Sequence, residues 1–488
     1  GLAKRLRVPD DYFQLSQALS FQYYNLNNYF TGDFLSLAVV ILAAGQGTRM
    51  RSDVPKVLHP LAGESMLSYV IDVARQLEPE QINIVYGFEG EKLKEKFDSS
   101  DITWSHQSEQ LGTGHALAQA MPSVSKNSEI LVMCGDTPLI TLQSIKALFH
   151  KKYNEQVTLL TSVVEDPKNY GRIIRNNSGS IESIIEERDA TESEKLIKEV
   201  NTGIMRLPAN GLKGWLKKID INNKQKEFYL TDVVSLAVKD GYQVNGVILD
   251  DESEALGIND RYDLAIAERI IQSRNASMLL DFGATLIDPD RFDLRGELTI
   301  GKDVVIDVNA IFEGNVILKD RVKIGPNVVI RNSQLGNDCQ VLENSVLDGV
   351  TAGNNCIIGP FARLRPDSYL ENNVKVGNFV EIKKSNISSK SKINHLSYIG
   401  DTIVGEKVNI GAGTVTCNYD GDKKHQTTIG DDVFIGSGTM LVAPIEVGKS
   451  ATIAAGSTIT KNAPADQLTL ARGKQVTIKS WKRPKKKN

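Results

Sequence analysis

Between Leu42 and Lys56 the chain reads Leu-Ala-Ala-Gly-Gln-Gly-Thr-Arg-Met-Arg-Ser-Asp-Val-Pro-Lys. Gly45 and Gly47 free the backbone to approach a ligand and turn N–H groups toward it, while Arg49 and Lys56 supply positive charge. Those residue types at that spacing make a cradle for phosphate. Two common cradles are excluded by what is missing. The dinucleotide fingerprint needs a third glycine where Met50 stands, and the Walker loop needs Gly-Lys-Ser/Thr where the chain has Gly47-Thr48-Arg49.

A phosphate cradle is often joined by a divalent cation, held by anionic or amide oxygens, that screens the phosphate charge. Asp136 follows the run Leu131-Val132-Met133-Cys134-Gly135, where such a ligand belongs; a strand-end acid capping a turn fits the same spacing. Gln107-Ser108-Glu109-Gln110-Leu111-Gly112-Thr113-Gly114 is a second small-residue turn, whose amides offer paired donors and acceptors to a base edge. Glu186 is either an acceptor for sugar hydroxyls or a solvated acid. Farther on, Glu381, Lys383, Lys384, His395, Asn418 and Tyr419 interrupt an aliphatic pattern. Among them is His395, and histidine is the side-chain type whose near-neutral pKa suits a general base. A lone histidine on a repetitive frame is otherwise a surface or hydrogen-bonded residue.

Two kinds of framework must position these groups. From Leu37 to about Asn259 short apolar runs alternate with amphipathic stretches. Leu37–Ile41, Ile82–Tyr86, Glu129–Met133 and Val157–Thr161 are expected as strands, and Ser68–Leu77 and Gly114–Ala120 as helices. This α/β pattern predicts a mostly parallel sheet, with ligands at the carboxyl ends of its strands, where the glycine loop falls. Asp260 is a plausible cap for one connecting helix running to about Leu280. From about Leu298 the period becomes six: Ile358, Leu364, Leu370, Val376, Ile382, and again Ile429, Ile435, Leu441, Val447, Ile453, Ile459. Glycine follows many of them, and a corner is expected at that residue; such hexapeptides stack into a β-helix. Between Thr416 and Thr428 the beat fails, so Cys417–His425 must leave the coil as a loop.

The whole of 488 residues is 41% hydrophobic and 24% charged, enough for two or more domains with proper cores. A net charge of -3 gives no general reason to bind nucleic acid, and no apolar run approaches a membrane span. Cys134, Cys339, Cys356 and Cys417 form no Cys-x-x-Cys pair and the six histidines no metal-ligand spacing; reduced thiols in a cytoplasmic protein and an oxygen-liganded metal are expected. Residues 1–36 hold eight of the 31 aromatic residues and are foreign in composition to the rest of the chain; no function is assigned to them. The basic tail Lys479–Lys487 is a solvated terminus or a cation near a coenzyme phosphate.

The string from Leu42 to Lys56 resembles the signature loop of the sugar-phosphate nucleotidylyltransferases. Asn394-His395-Leu396-Ser397-Tyr398-Ile399-Gly400-Asp401, Gly359–Pro366 and Gly411–Asp420 resemble the acetyltransferase half of the bacterial family that joins N-acetylglucosamine-1-phosphate uridylyltransferase to glucosamine-1-phosphate N-acetyltransferase. That resemblance runs from about Leu37 to the C-terminus. It implies an extension at 1–36, a Rossmann-like uridylyltransferase domain at 37–260, a linker helix at 261–282 and a left-handed β-helix acetyltransferase domain at 283–488.

It implies further that Leu42, Ala43, Ala44, Gly45 and Lys56 line the nucleotide, with Arg49 and Lys56 neutralising the departing pyrophosphate. Gln107, Gln110, Gly112 and Thr113 would surround uracil; Gly171, Glu186 and Asn201, with Thr202, the sugar; and Asp136 and Asn259 would hold Mg²⁺. In the coil His395 would be the base, and Arg365, Lys383, Tyr398 and Asn409 would hold the sugar phosphate, with Asn418 and Tyr419 beside them. Those two, with Ala412, Ser437, Ala455 and Arg472, are assigned to acetyl-CoA. The implied product is UDP-N-acetylglucosamine for peptidoglycan and lipopolysaccharide precursors. UTP, N-acetylglucosamine-1-phosphate, glucosamine-1-phosphate and acetyl-CoA are the implied substrates, and a cytoplasmic homotrimer the implied assembly. The rival is a single-activity nucleotidylyltransferase whose β-helix only regulates or oligomerises.

Overall fold

A computed structural model describes residues 6–7, 36–87, 89–150 and 156–483; nearly all of the N-terminal extension and the last five residues of the chain, with the end of the basic tail, lie outside it. The chain forms two compact units that divide between Arg274 and Asn275. Among the described residues no helix is long and apolar enough to cross a membrane.

The first unit is built on a nine-stranded sheet: β1 (Leu37–Ala43), β2 (Gln81–Tyr86), β3 (Ile102–His106), β4 (Glu129–Cys134), β5 (Val157–Val163), β6 (Arg172–Arg175), β7 (Ile181–Ile185), β8 (Glu199–Pro208) and β9 (Val244–Ile248). Val39, Val40 and Ile41 are fully buried, which is why so continuously apolar a run takes the central place in the sheet. β1 lies parallel to β2 and β4, and β2 parallel to β3. Next to this parallel set β8 runs antiparallel to β4 and β5, and β9 returns parallel to β5. One face of the sheet packs Val39, Ile41, Ile84 and Leu131 against Leu67, Val70 and Ile71 of the helix Met66–Arg75. The other packs Val40 and Val132 against Leu117 of the helix Thr113–Ala120 and Val233 of Asp232–Lys239. Each such side chain contributes roughly 1.5–3 kcal/mol by burial. The helix expected at Ser68 starts two residues earlier, because the hairpin Pro60–Leu61/Glu64–Ser65 delivers Ser65 in extended conformation as its N-cap.

The connecting helix spans Arg261–Asp281, and Asp260 caps it by accepting from the N–H groups of Tyr262 and Asp263 at 2.9 and 3.0 Å. Ala267 and Ile271 pack in the first unit; Ala276 and Leu279 pack in the second.

The second unit is a parallel β-helix of three faces, in which residues 17 or 18 apart stack from coil to coil. Every aliphatic residue of the two six-residue series is inside, none more than 3% exposed. The corners differ from expectation. Left-handed backbone occurs two residues after the glycine, as at Asn327 after Gly325, Phe379 after Gly377 and Lys407 after Gly405. The glycine itself is needed for stacking: a Cβ on Gly377 would lie 2.0 Å from the carbonyl oxygen of Asn394 in the next coil. The loop after Thr416 is present, since Thr402 pairs with Thr427, a step of 25 residues, before the step of 18 returns at Ile445.

Candidate active sites

β1 carries the chain straight into the glycine loop, and β4 ends beside it, with the Gly135 N–H donating to the Leu42 carbonyl at 2.9 Å. Gly45 faces open space, as a ligand-side glycine must. Gly47 serves a different purpose. Its φ is 62°, and a Cβ there would sit 2.6 Å from the Cβ of Lys56, so the glycine lets the lysine stem pass beneath the loop. Lys56 then reaches across the strand ends. Its Nζ donates to Asp136 Oδ2 at 2.6 Å and to Asn259 Oδ1 at 3.3 Å, and Arg49 Nη2 donates to the same Asn259 oxygen at 2.9 Å. Asn259 is fixed by its N–H to Asp263 and its Nδ2 to the Gly257 carbonyl, and the Ile258 N–H donates to the Asp136 carbonyl.

Thus four residues from three segments face one another: Arg49 and Lys56 of the glycine loop, Asp136 after β4, and Asn259 before the connecting helix. Among the described residues the Asp136 carboxylate caps no turn; it pairs with the Lys56 ammonium. An ammonium seated between one carboxylate and one amide oxygen marks a position for positive charge, and two hard oxygens suit Mg²⁺, which keeps most of its coordination for water and phosphate. Next to them burial, then the negative charge of Asp136, pushes the Cys134 thiol up to about 12, so it is no nucleophile at neutral pH.

Gln107 is buried, and its Nε2 donates to the Gly112 carbonyl at 3.1 Å and lies 3.1 Å from His115 Nδ1. Gly112 has φ 107°, and a Cβ would be 2.6 Å from the Phe228 carbonyl, which itself accepts from the Gly114 N–H. Thr113 Oγ1 accepts from the Leu230 N–H, and Gln110 Oε1 accepts from Gln46 at the glycine loop. Gly171, Glu186 and Asn201 come together: the Asn201 N–H donates to the Gly171 carbonyl at 2.8 Å, and Glu186 Oε1 lies beside Gly171. Burial raises the Glu186 pKa against a hydrogen bond from Thr231 Oγ1 at 2.9 Å. Thr202 is turned inward, donating to the Leu160 carbonyl.

On the β-helix the stacking steps join residues distant in sequence. Asn378, His395, Ala412, Ser437, Ala455 and Arg472 fall on one corner. His395 pairs with Asn378 across adjacent coils, Ala412 and Ser437 accept from Gly438 and Gly456, and Arg472 donates to the Ala455 carbonyl. His395 is exposed, with Nδ1 2.8 Å from Asn378 Oδ1. An amide oxygen can only accept, so Nδ1 carries the proton and Nε2 is left as the basic nitrogen.

One face away, Lys383 Nζ donates to Asp401 Oδ2 at 3.2 Å and Arg365 to Glu381 Oε1 at 3.0 Å. Asn418 donates to Asp401 and to the Tyr398 hydroxyl, which places it with the Lys383 cluster and not on the Ala412 corner. Asn409 lies on the preceding face, paired with Lys392 and Phe434. Tyr419 is exposed on a hairpin closed by its bridge to Lys424, whose Nζ sits 4.5 Å over the ring. His425 also bonds Asp420, whose carboxyl is held well below the usual range by the Lys423 N–H and then by His425.

Asn378, Asp401 and His115 were not singled out from sequence. The first two could have been found by stepping 17 or 18 residues from His395 and Lys383. His115 carried no signal.

Comparison with known proteins respects this division. Residues 39–183 match the MobA-like NTP transferase domain, 298–332 and 426–461 match the bacterial transferase hexapeptide (six repeats), and 350–441 match the GMPPB C-terminal domain. The chain is 50% identical over 448 residues to the bifunctional protein GlmU of Janthinobacterium sp. (strain Marseille), covering 92% of this chain and 99% of that one. It is 50% identical over 452 residues to the bifunctional protein GlmU of Pseudomonas putida (strain GB-1), covering 93% and 99%. A third, from Idiomarina loihiensis, is 49% identical over 453 residues, covering 93% and 99%.

Proposed function

The chain belongs to the family of bifunctional GlmU proteins, a two-activity enzyme of UDP-N-acetylglucosamine synthesis, and from that premise we propose which residues perform each step. The functional division is 37–260, 261–282 and 283–488. The observation that carries the first half is the meeting of Arg49, Lys56, Asp136 and Asn259 at the glycine loop.

Acetylation comes first. The amine nitrogen of glucosamine-1-phosphate attacks the thioester carbonyl of acetyl-CoA, His395 Nε2 takes the proton, and the coenzyme leaves as its thiol. Asn378 positions the imidazole. Arg365, Lys383 and Tyr398 hold the sugar phosphate, Asn409 and Asn418 complete its site, and the corner from Ala412 through Ser437 and Ala455 to Arg472, with exposed Tyr419, takes the coenzyme.

In the second step a phosphate oxygen of N-acetylglucosamine-1-phosphate attacks the α-phosphorus of UTP and the bond to pyrophosphate breaks. Asp136 and Asn259 would hold Mg²⁺, which supplies charge screening at the α-phosphate. Arg49 and Lys56 neutralise the departing pyrophosphate, so catalysis is positioning plus charge, with no covalent intermediate on the protein. Gln107, Gln110, Gly112 and Thr113 bind uracil; Gly171, Glu186 and Asn201 bind the sugar. We place the enzyme in the cytoplasm as a homotrimer. The exposed corner of Phe361, Phe379 and Leu396, with the two phenyl rings stacked at 5.3 Å beside His395, supports a neighbouring copy completing the acetylation site.

His395→Ala and Asp136→Ala, each assayed for both reactions, test this. His395→Ala should lose acetylation and keep pyrophosphate release from UTP; Asp136→Ala should do the reverse. Full-rate acetylation by His395→Ala would leave the β-helix a regulatory or oligomerising frame, and full-rate release by Asp136→Ala would remove the metal assignment.

A further inference from the structure

The hydrogen bonds around Gln107 settle which way its amide faces. Nε2 donates to the Gly112 carbonyl at 3.1 Å and lies 3.1 Å from His115 Nδ1. Turning the amide over would set Oε1 against the Gly112 carbonyl oxygen, whatever the state of the ring. Gly112 cannot yield, because its own backbone is held against Phe228 by the Phe228 N–H to the Leu111 carbonyl and the Gly114 N–H to the Phe228 carbonyl. The remaining polar atom, Oε1, takes no hydrogen bond among the described residues.

On the far side of the ring Gln119 Nε2 lies 3.1 Å from His115 Nε2. Two amide nitrogens cannot both donate to one neutral imidazole, which has a single accepting nitrogen. Gln119 Nε2 also donates to the His115 carbonyl at 3.2 Å, one turn back on its own helix, but Gln119 is partly exposed, so water can replace that bond when the amide turns its oxygen to the ring. Gln107 is buried and has no water to take the place of the Gly112 carbonyl. Nδ1 is therefore the acceptor and Nε2 carries the proton.

We propose that His115 is a positioning residue for base selectivity. By accepting from Gln107 it locks Oε1 as the acceptor offered to the nucleobase. Uracil presents an N3–H donor to that atom, whereas cytosine presents a lone pair at N3. The arrangement thus selects UTP over CTP, and the selectivity resides in a histidine that need not touch the base. The proposal rests on the reading of Gln107 as a uracil-binding residue.

The test compares kcat/KM for UTP and CTP, in uridylyl and cytidylyl transfer to N-acetylglucosamine-1-phosphate, for the full-length wild type, His115→Phe and His115→Asn. The phenyl ring keeps the volume near Phe228 but cannot accept; the asparagine Oδ1 replaces Nδ1 as acceptor. In His115→Phe the UTP/CTP ratio should fall about tenfold or more, the scale set by leaving one buried group mispaired. In His115→Asn it should stay within about threefold of wild type. A merely structural role would slow both nucleotides equally, and an unchanged ratio in His115→Phe would overturn the inference. If Gln107→Ala left the ratio unchanged while wild type used UTP normally, the uracil assignment itself would fall, a separate result.

Discussion

Lys56→Met removes one charge and little else. The methionine keeps most of the stem that passes under Gly47, so the loop should retain its path. What is lost is an ammonium 2.6 Å from Asp136 and 3.3 Å from Asn259, at the mouth where pyrophosphate would depart. The Lys56 side chain is 11% exposed and that of Asp136 31%, so water reaches the stranded carboxylate. Breaking a fully buried pair costs roughly 3–5 kcal/mol, and with this access about 1–2 kcal/mol is expected, too little to unfold the unit. Catalysis should suffer more. One preorganised group aimed at developing charge is worth roughly 3–4 kcal/mol, about 10²- to 10³-fold in kcat. Pyrophosphate release from UTP and N-acetylglucosamine-1-phosphate measures it, and acetylation by the same preparation, performed by the other unit, checks folding and concentration. Release within about threefold of wild type, with acetylation intact, would refute the role given to Lys56.

Asn378→Ala should lower the kcat of acetylation by roughly tenfold or more, because the imidazole loses the acceptor that fixes its tautomer; an unchanged kcat in a thiol-release assay would count against it. Gly377→Ala puts a Cβ 2.0 Å from the Asn394 carbonyl oxygen and must push adjacent coils apart, so a destabilisation of about 1–3 kcal/mol is expected in the denaturant midpoint of the second unit; no shift would mean the coils are not packed as described. Glu186→Gln tests a pH dependence. Burial raises the Glu186 pKa, so the folded state binds its proton more readily than the unfolded chain, and stability is lost as pH rises above the ordinary glutamate range. Glu186→Gln should be the more stable protein at neutral pH, by a margin that shrinks as pH falls toward 4.5, the ordinary glutamate value; a margin constant with pH would contradict the burial.

Much of this was legible because the determinants are local or periodic. The run Leu37–Ile41 could only be a central strand, and a six-residue beat with aliphatic residues inside could only be a coil. The glycine loop announced phosphate, yet Gly47 is explained by Lys56, nine residues on, and not by the ligand. Likewise the corners could not be placed by composition. Glycine follows the aliphatic residue because the next coil leaves no room for a Cβ, while the left-handed turn falls two residues later on residues as different as Asn, Asp, Lys, Phe, Ser and Gly.

The functional groups that escaped the sequence reading divide by the same logic. In the β-helix a contact across coils has a fixed period: stepping 17 back from His395 gives Asn378, and 18 on from Lys383 gives Asp401, so both partners were implicit once the period was known. The seven-residue surplus after Thr402 interrupts that arithmetic only once, which is why Ala412 must be carried 25 residues, to Ser437, to stay on its corner. The sheet domain offers no such rule. Asn259 reaches Lys56 from 203 residues away and Arg49 from 210, and His115 meets Gln107 because a turn and a helix start fold back on each other. There only motif types pointed to the chemistry, and the partners that orient them emerge from three-dimensional packing. A repeat fold therefore exposes its orienting residues to sequence reading, whereas an α/β sheet exposes its reactive residues and conceals what holds them.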